Sequence, residues 1–147
     1  MAHQYGPPIG LALARAAKAA SRAFDETLAA AGGSLPVWLV LLSLKTHQLG
    51  NQRELAEAVG IQGATLTHHL NAMEANGLLT RRRDPGNRRI HLVELTELGE
   101  TTFVTLRTAA MGFDQRLRRG LTPDELAETQ RVLGILTTNA VAVPRHQ

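Results

Sequence analysis

The sequence predicts a mainly α-helical chain carrying one small β-hairpin. Three observations lead there. Aromatic residues make up only 3% of a chain that is 44% hydrophobic, so its core must be built from Leu, Val, Ile and Ala. Those residues recur mostly at steps of three and four, the spacing of one helix face. Glycine and proline punctuate the periodic runs, and a Pro-Gly pair separates two segments that read as strands. With 147 residues the chain can bury a core and is near the usual size of one domain.

From Pro8 to about Ala31, Leu13, Ala17, Ala20, Phe24 and Leu28 form an apolar stripe, with Arg15, Lys18 and Arg22 on another, which predicts an amphipathic helix. Gly32 and Gly33 stop it, and Ser34 can cap the next helix, which runs through Trp38 and Leu42 and is apolar on nearly every side. Such a helix should be central. Gly50 and Asn51 break the chain, and a short helix from about Gln52 to Val59 ends at Gly60, where a tight turn needs a permissive backbone. In the longer helix that follows, about Gly63 to Asn76, Leu66, Leu70 and Met73 share one face. Ala64, His68, Asn71 and Ala75 then lie opposite, with Thr65 and Thr67 on the flanks.

After Gly77, the runs Leu78–Arg83 and Arg88–Leu95 flank Asp84-Pro85-Gly86-Asn87, a sequence that favours a type II turn and hence a hairpin. Thr96 and Glu97 open another helix with Phe103, Leu106, Ala110, Phe113 and Leu117 on one stripe, ended by Gly120. Thr122-Pro123-Asp124-Glu125 starts the last helix with a capping hydroxyl, an early proline and acids near the positive end of the macrodipole. It carries Leu126, Leu133, Leu136 and Ala140 to about Val141, and Pro144–Gln147 reads as a loose tail.

The net charge is +3, but its distribution says more: Arg81, Arg82, Arg83, Arg88 and Arg89 fall within nine positions. The absence of cysteine excludes disulfides, thiolate nucleophiles and Cys-based zinc sites, and is compatible with a reducing compartment. The longest apolar stretch, Leu35–Leu44, is interrupted by Pro36 and Ser43 and is too short to span a bilayer, so no membrane association is expected. No basic segment followed by an apolar run opens the chain, and the expected location is cytoplasmic.

A short helix, a tight turn, a longer helix with a small polar outer face and an arginine-rich hairpin make a helix-turn-helix followed by a wing. In that arrangement the first helix crosses the nucleic-acid backbone, the second presents side chains to base edges, and the wing reaches phosphates or an adjacent minor groove. Double-stranded DNA is therefore the expected partner. Glu54–Ile61, Met73–Leu79, Asp84–Arg89 and Leu95–Gly99 together resemble the successive signatures of the MarR family of winged helix-turn-helix transcriptional regulators, over roughly Gln52 to Gly99.

The resemblance implies a single domain over residues 1–147, with a winged helix-turn-helix at about 35–95 between dimerisation helices at about 8–31 and 97–141. It implies a homodimer on palindromic DNA, acting as a repressor that a small aromatic or phenolic effector releases. Matched position by position, Gln62, Thr65, Thr67 and His68 of the recognition helix and Arg88 and Arg89 of the wing become DNA contacts, with Asn71 and Arg82 joining the candidate set. Arg89 is the first choice for the minor groove. The chain departs from the family pattern where Asn71 and Asn87 replace aspartates and His68 replaces an arginine, which implies a different operator or a weaker phosphate clamp.

Plainer readings stand beside these. An arginine cluster is often only a solvated surface, though less so directly after a helix-turn-helix. His68 and His69 diverge by about 100° on a helix and lack a further ligand at metal spacing, so no metal site is expected. Trp38 and His47 are candidate effector contacts, Trp38 as a pocket wall and His47 as a hydrogen-bond donor to an acidic ligand. Core or dimer packing competes for Trp38, and a solvated helix end for His47. Phe24, Phe103 and Phe113 read as core. No nucleophile-base pair at a recognisable spacing points to an enzyme, and no cofactor is implied. An architectural DNA binder, or a winged-helix protein-interaction module without an effector, is the alternative.

Overall fold

A computed structural model describes residues 6–47 and 51–142, with only the backbone of His47. Among the described residues the elements are α1 (Ile9–Ala30), α2 (Leu35–His47), α3 (Gln52–Val59), α4 (Gly63–Ala75), β1 (Leu79–Asp84), β2 (Asn87–Leu95), α5 (Glu97–Arg118) and α6 (Pro123–Val141). The expected order of elements is therefore the observed one. The chain divides at Phe113/Asp114 into two compact units. The break expected at Gly50 and the tail at Pro144–Gln147 lie outside the described residues.

In the first unit α2 turns away from α1 by 80° and packs against α1, α3, α4 and β2. Its all-round apolar sequence explains this: Val40 and Leu41 are fully buried, while Leu35, Val37, Leu39, Leu42 and Leu44 pack half-buried around them. Leu28, Leu55, Leu66, Leu70, Met73, Leu79, Val93 and Leu106 complete the core from the surrounding elements. The apolar stripe of α1 is covered only toward its C-terminal end. Leu28 is buried and Phe24 stacks on Phe113 at 5.1 Å between centroids, whereas Ile9, Leu11 and Leu13 are exposed. A helix of 22 residues is about 33 Å long and outruns the core layer beneath it.

The junction between α4, the hairpin and α5 is tight. Leu78 N donates to Met73 O at 2.9 Å, closing the end of α4. Thr96 Oγ1 donates to Gly77 O, Thr96 N donates to Leu78 O at 3.1 Å, and Gly99 N donates to Thr96 Oγ1 at 3.0 Å. Gly99 is required by this approach, because a Cβ there would lie 2.0 Å from Leu78 O.

In the second unit Thr122 and Glu125 form a reciprocal capping box at the start of α6, with Glu125 N donating to Thr122 Oγ1 at 3.2 Å and Thr122 N to Glu125 Oε1 at 3.0 Å. Hydrogen bonding to the carboxyl from Thr122, its backbone N first and its side chain second, holds Glu125 below its ordinary range. No residue of α6 is buried, and Val132, Leu133, Ile135 and Val141 are exposed. Among the described residues no single helix is long and apolar enough to cross a membrane.

Candidate nucleic-acid interface

Helix α3 begins with Asn51 in extended conformation, its Oδ1 accepting from Glu54 N at 2.9 Å. Asn51 also makes an antiparallel bridge to Leu92, which ties the start of α3 to β2 of the wing. Gly60, left-handed at φ 74°, closes α3 and allows α4 to start three residues later. Gln52 Nε2 donates to Thr67 Oγ1 at 2.7 Å, and that hydroxyl donates onward to Gly63 O at 2.9 Å. The two helices are thus pinned at their facing ends. Thr67, expected at DNA, is half-buried and spends its hydroxyl inside the protein.

The outer face of α4 is as the helical period predicts: Leu66, Leu70 and Met73 are buried, while Ala64, Thr65, His68, Asn71 and Ala75 are exposed, with Gln62 just before the helix. His68 meets half-buried His69 edge-on, centroids 5.7 Å apart.

The hairpin differs from the expected one at its tip. Gly86 lacks the positive φ that a type II turn demands. Asp84 Oδ1 accepts instead from Gly86 N at 2.9 Å, so a side chain sets the turn. The ladder then slips, since Arg83 pairs with His91 but Asp84 pairs with Asn87. Arg88, Arg89 and Ile90 have no partner on β1 and form a bulge. Asn87 Oδ1 accepts from Arg89 N at 3.1 Å, so this asparagine shapes the bulge rather than pairing with an arginine side chain. Both Arg88 and Arg89 are exposed, whereas Arg82 is ion-paired across the ladder with Glu94 at 2.9 Å. An open groove of about 890 Å³ separates α3 from the wing, with Arg53 and Glu57 on one bank and Arg89, Ile90 and His91 on the other.

At the base of the wing, Arg81 joins β1 to α4. Its backbone N donates to Glu74 Oε2 at 2.8 Å, and its Nη2 donates to Asn71 Oδ1 and, at 3.3 Å, to Glu74 Oε1. These bonds hold the Glu74 carboxyl below its ordinary range, the side-chain hydrogen bond from Arg81 contributing most. The Arg81 side chain is only 17% exposed. Asn71 thus keeps an arginine partner although it is no aspartate, and Glu74 supplies the charge. Neither Glu74 nor Gln52 was singled out by sequence reasoning. Glu74 lies three residues after Asn71 on the same helix, a signal that could have found it, whereas nothing local links Gln52 to Thr67.

Trp38 is 7% exposed and stacks on Phe103 with centroids 5.8 Å apart. Lys45 Nζ and Arg107 Cζ lie 5.7 and 5.9 Å from the Phe103 centroid, and Lys45 is bridged to Glu100 at 2.8 Å. The side chain of His47 lies outside the described residues.

The MarR family model matches residues 34–91, the segment from the cap of α2 into β2. The transcriptional repressor CouR, solved bound to a 23-mer DNA duplex, is 30% identical, with 90% of this chain and 92% of that one aligned at a TM-score of 0.76. The chain belongs to the MarR family. Members of the MarR family are DNA-binding transcriptional regulators, not enzymes, and a mainly helical winged helix-turn-helix is their fold. BpsR of Bordetella bronchiseptica, whose DNA binding is regulated by 6-hydroxynicotinic acid, is 25% identical over 88% of this chain and 98% of its own, with a TM-score of 0.76. The HTH-type regulator YdgJ of Bacillus subtilis (strain 168) is 42% identical over 62 residues, which span 42% of this chain and 38% of that relative.

Proposed function

We propose that this MarR-family protein is a ligand-responsive repressor that binds a palindromic operator as a homodimer. Helix α4 enters the major groove and reads bases through Gln62, Thr65, His68 and Asn71, with Thr67 holding the helix in place. Arg88 and Arg89 enter the adjacent minor groove, and Arg82 serves the phosphates. The observation that carries this reading is the bulge, which frees two consecutive arginines from the ladder beside the exposed polar face of α4. Exposed Ile9, Leu11, Leu13, Val104 and Met111 support a second copy covering the apolar surface of α1 and α5.

An effector acts by population shift: it favours a dimer whose recognition helices no longer match half-sites about 34–36 Å apart. The effector is a small aromatic or phenolic molecule near the Trp38–Phe103 stack, where Lys45 and Arg107 offer charge to an acidic group. The regulation of BpsR by a hydroxylated aromatic acid supports that class.

The deciding experiment measures binding to the DNA upstream of the protein's own coding sequence against salt, for wild type and Arg89→Ala. Tight, selective binding that falls steeply with salt and weakens in the variant is expected, with the salt slope shallower by about one if Arg89 neutralises one phosphate. Equal binding to random duplexes would refute the proposal.

A further inference from the structure

We infer that Asn71 is a specificity-determining residue that reads a keto base, guanine or thymine, in preference to an amino base, because Arg81 holds its side-chain oxygen away from DNA. The inference rests on α4 being the base-reading helix. Arginine carries only hydrogen-bond donors, so the atom of the Asn71 amide that faces Arg81 Nη2 is the carbonyl oxygen. Arg81 cannot easily release it, being anchored on Glu74 through both its backbone N and its guanidinium and lying mostly buried. With Oδ1 turned toward β1, the Nδ2 amino group is the part of the amide left for the exposed face that Asn71 shares with Ala64 and His68.

Asparagine reads adenine by a bidentate pair in which its oxygen accepts from N6 while its nitrogen donates to N7. Both atoms must then point outward in one plane, and the contact to Arg81 forbids that. An outward amino group offers donors alone. It matches guanine, whose N7 and O6 both accept, and thymine O4, whereas at adenine only N7 accepts and N6 opposes it with a donor, and cytosine N4 presents a donor alone. An aspartate at this position would also accept from Arg81 but would present no N–H outward, so the exchange to asparagine changes the outward-facing group while keeping the inward bond.

The test selects bound sequences from randomised duplexes with wild-type protein. It then measures affinities of wild type, Asn71→Ala and Asn71→Asp for all four bases at each selected position. At one position wild type should favour a keto base about tenfold. Asn71→Ala should flatten that preference alone, and Asn71→Asp, which keeps an acceptor for Arg81, should turn it toward an amino base. Adenine preferred at the Asn71-dependent position overturns the inference, as does equal weakening on every duplex by both variants while Arg89→Ala still shows selective binding to depend on the wing. Wild type that selects no sequence overturns the inference and the base-reading role of α4 together.

Discussion

Adding one methyl group at Gly99 tests the junction that sets the wing against the recognition helix. The Cβ of Gly99→Ala would stand 2.0 Å from Leu78 O, 3.1 Å from Leu78 C and 3.3 Å from Leu95 Cδ2. Carbon and carbonyl oxygen normally approach no closer than about 3.3 Å, so α5 must retreat from Leu78 by more than about 1 Å. Leu78 cannot yield freely, since its carbonyl accepts from Thr96 N and its own N is bonded to Met73 O. Overpacking of this kind costs about 3 kcal/mol, and straining the Thr96 and Gly99 hydrogen bonds adds about 1 kcal/mol. Against a domain stability of about 5–15 kcal/mol the loss is large. Urea unfolding at one fixed protein concentration should show a midpoint well below wild type, and DNA binding should weaken even where the variant remains folded. A variant within about 1 kcal/mol of wild type, beyond the scatter of surface substitutions, would mean that α5 does not approach Leu78 as described.

Other positions carry their own expected outcomes. Gly112→Ala, in the interior of α5 with open space around its Cβ, should stabilise by about 0.5–1 kcal/mol in thermal unfolding; a destabilisation would show that a second chain fills that space. Gln52→Ala and Thr67→Val should each cost about 1 kcal/mol, and the double variant little more, because both remove the same hydrogen bond. Additive losses in a double-mutant cycle would contradict the bond. Glu74 has a folded-state pKa depressed below its ordinary value of 4.5, so its contribution is present above that value and is lost as pH falls through the depressed one. Glu74→Gln should therefore flatten the acid limb of the stability profile below pH 4.5, and an unchanged limb would count against the Arg81 contact.

Several features of the interface were out of reach of local patterns. The Pro-Gly pair marked the turn correctly but pointed to the wrong type, because the Asp84 side chain supplies a hydrogen bond that bypasses a left-handed glycine. The bulge depends on how the Asp84 and Asn87 side chains shape the two ends of the same turn, and alternation along either strand does not encode it. The family resemblance makes Thr67 a DNA contact, and no local pattern shows that its hydroxyl also accepts from Gln52, fifteen residues away.

The order of elements, the approximate limits of α4 and its buried face were legible from residue order alone, because a helical period and its caps involve residues within four of one another. Residue order also placed the arginines on one hairpin. How each of them is held is set by the folded chain. Arg81 is drawn into α4 and Arg82 onto Glu94, while Arg88 and Arg89 are released by the slip in register. Those outcomes depend on pairings seven or more residues apart or on a strand register, and such contacts exist only once the chain has closed on itself.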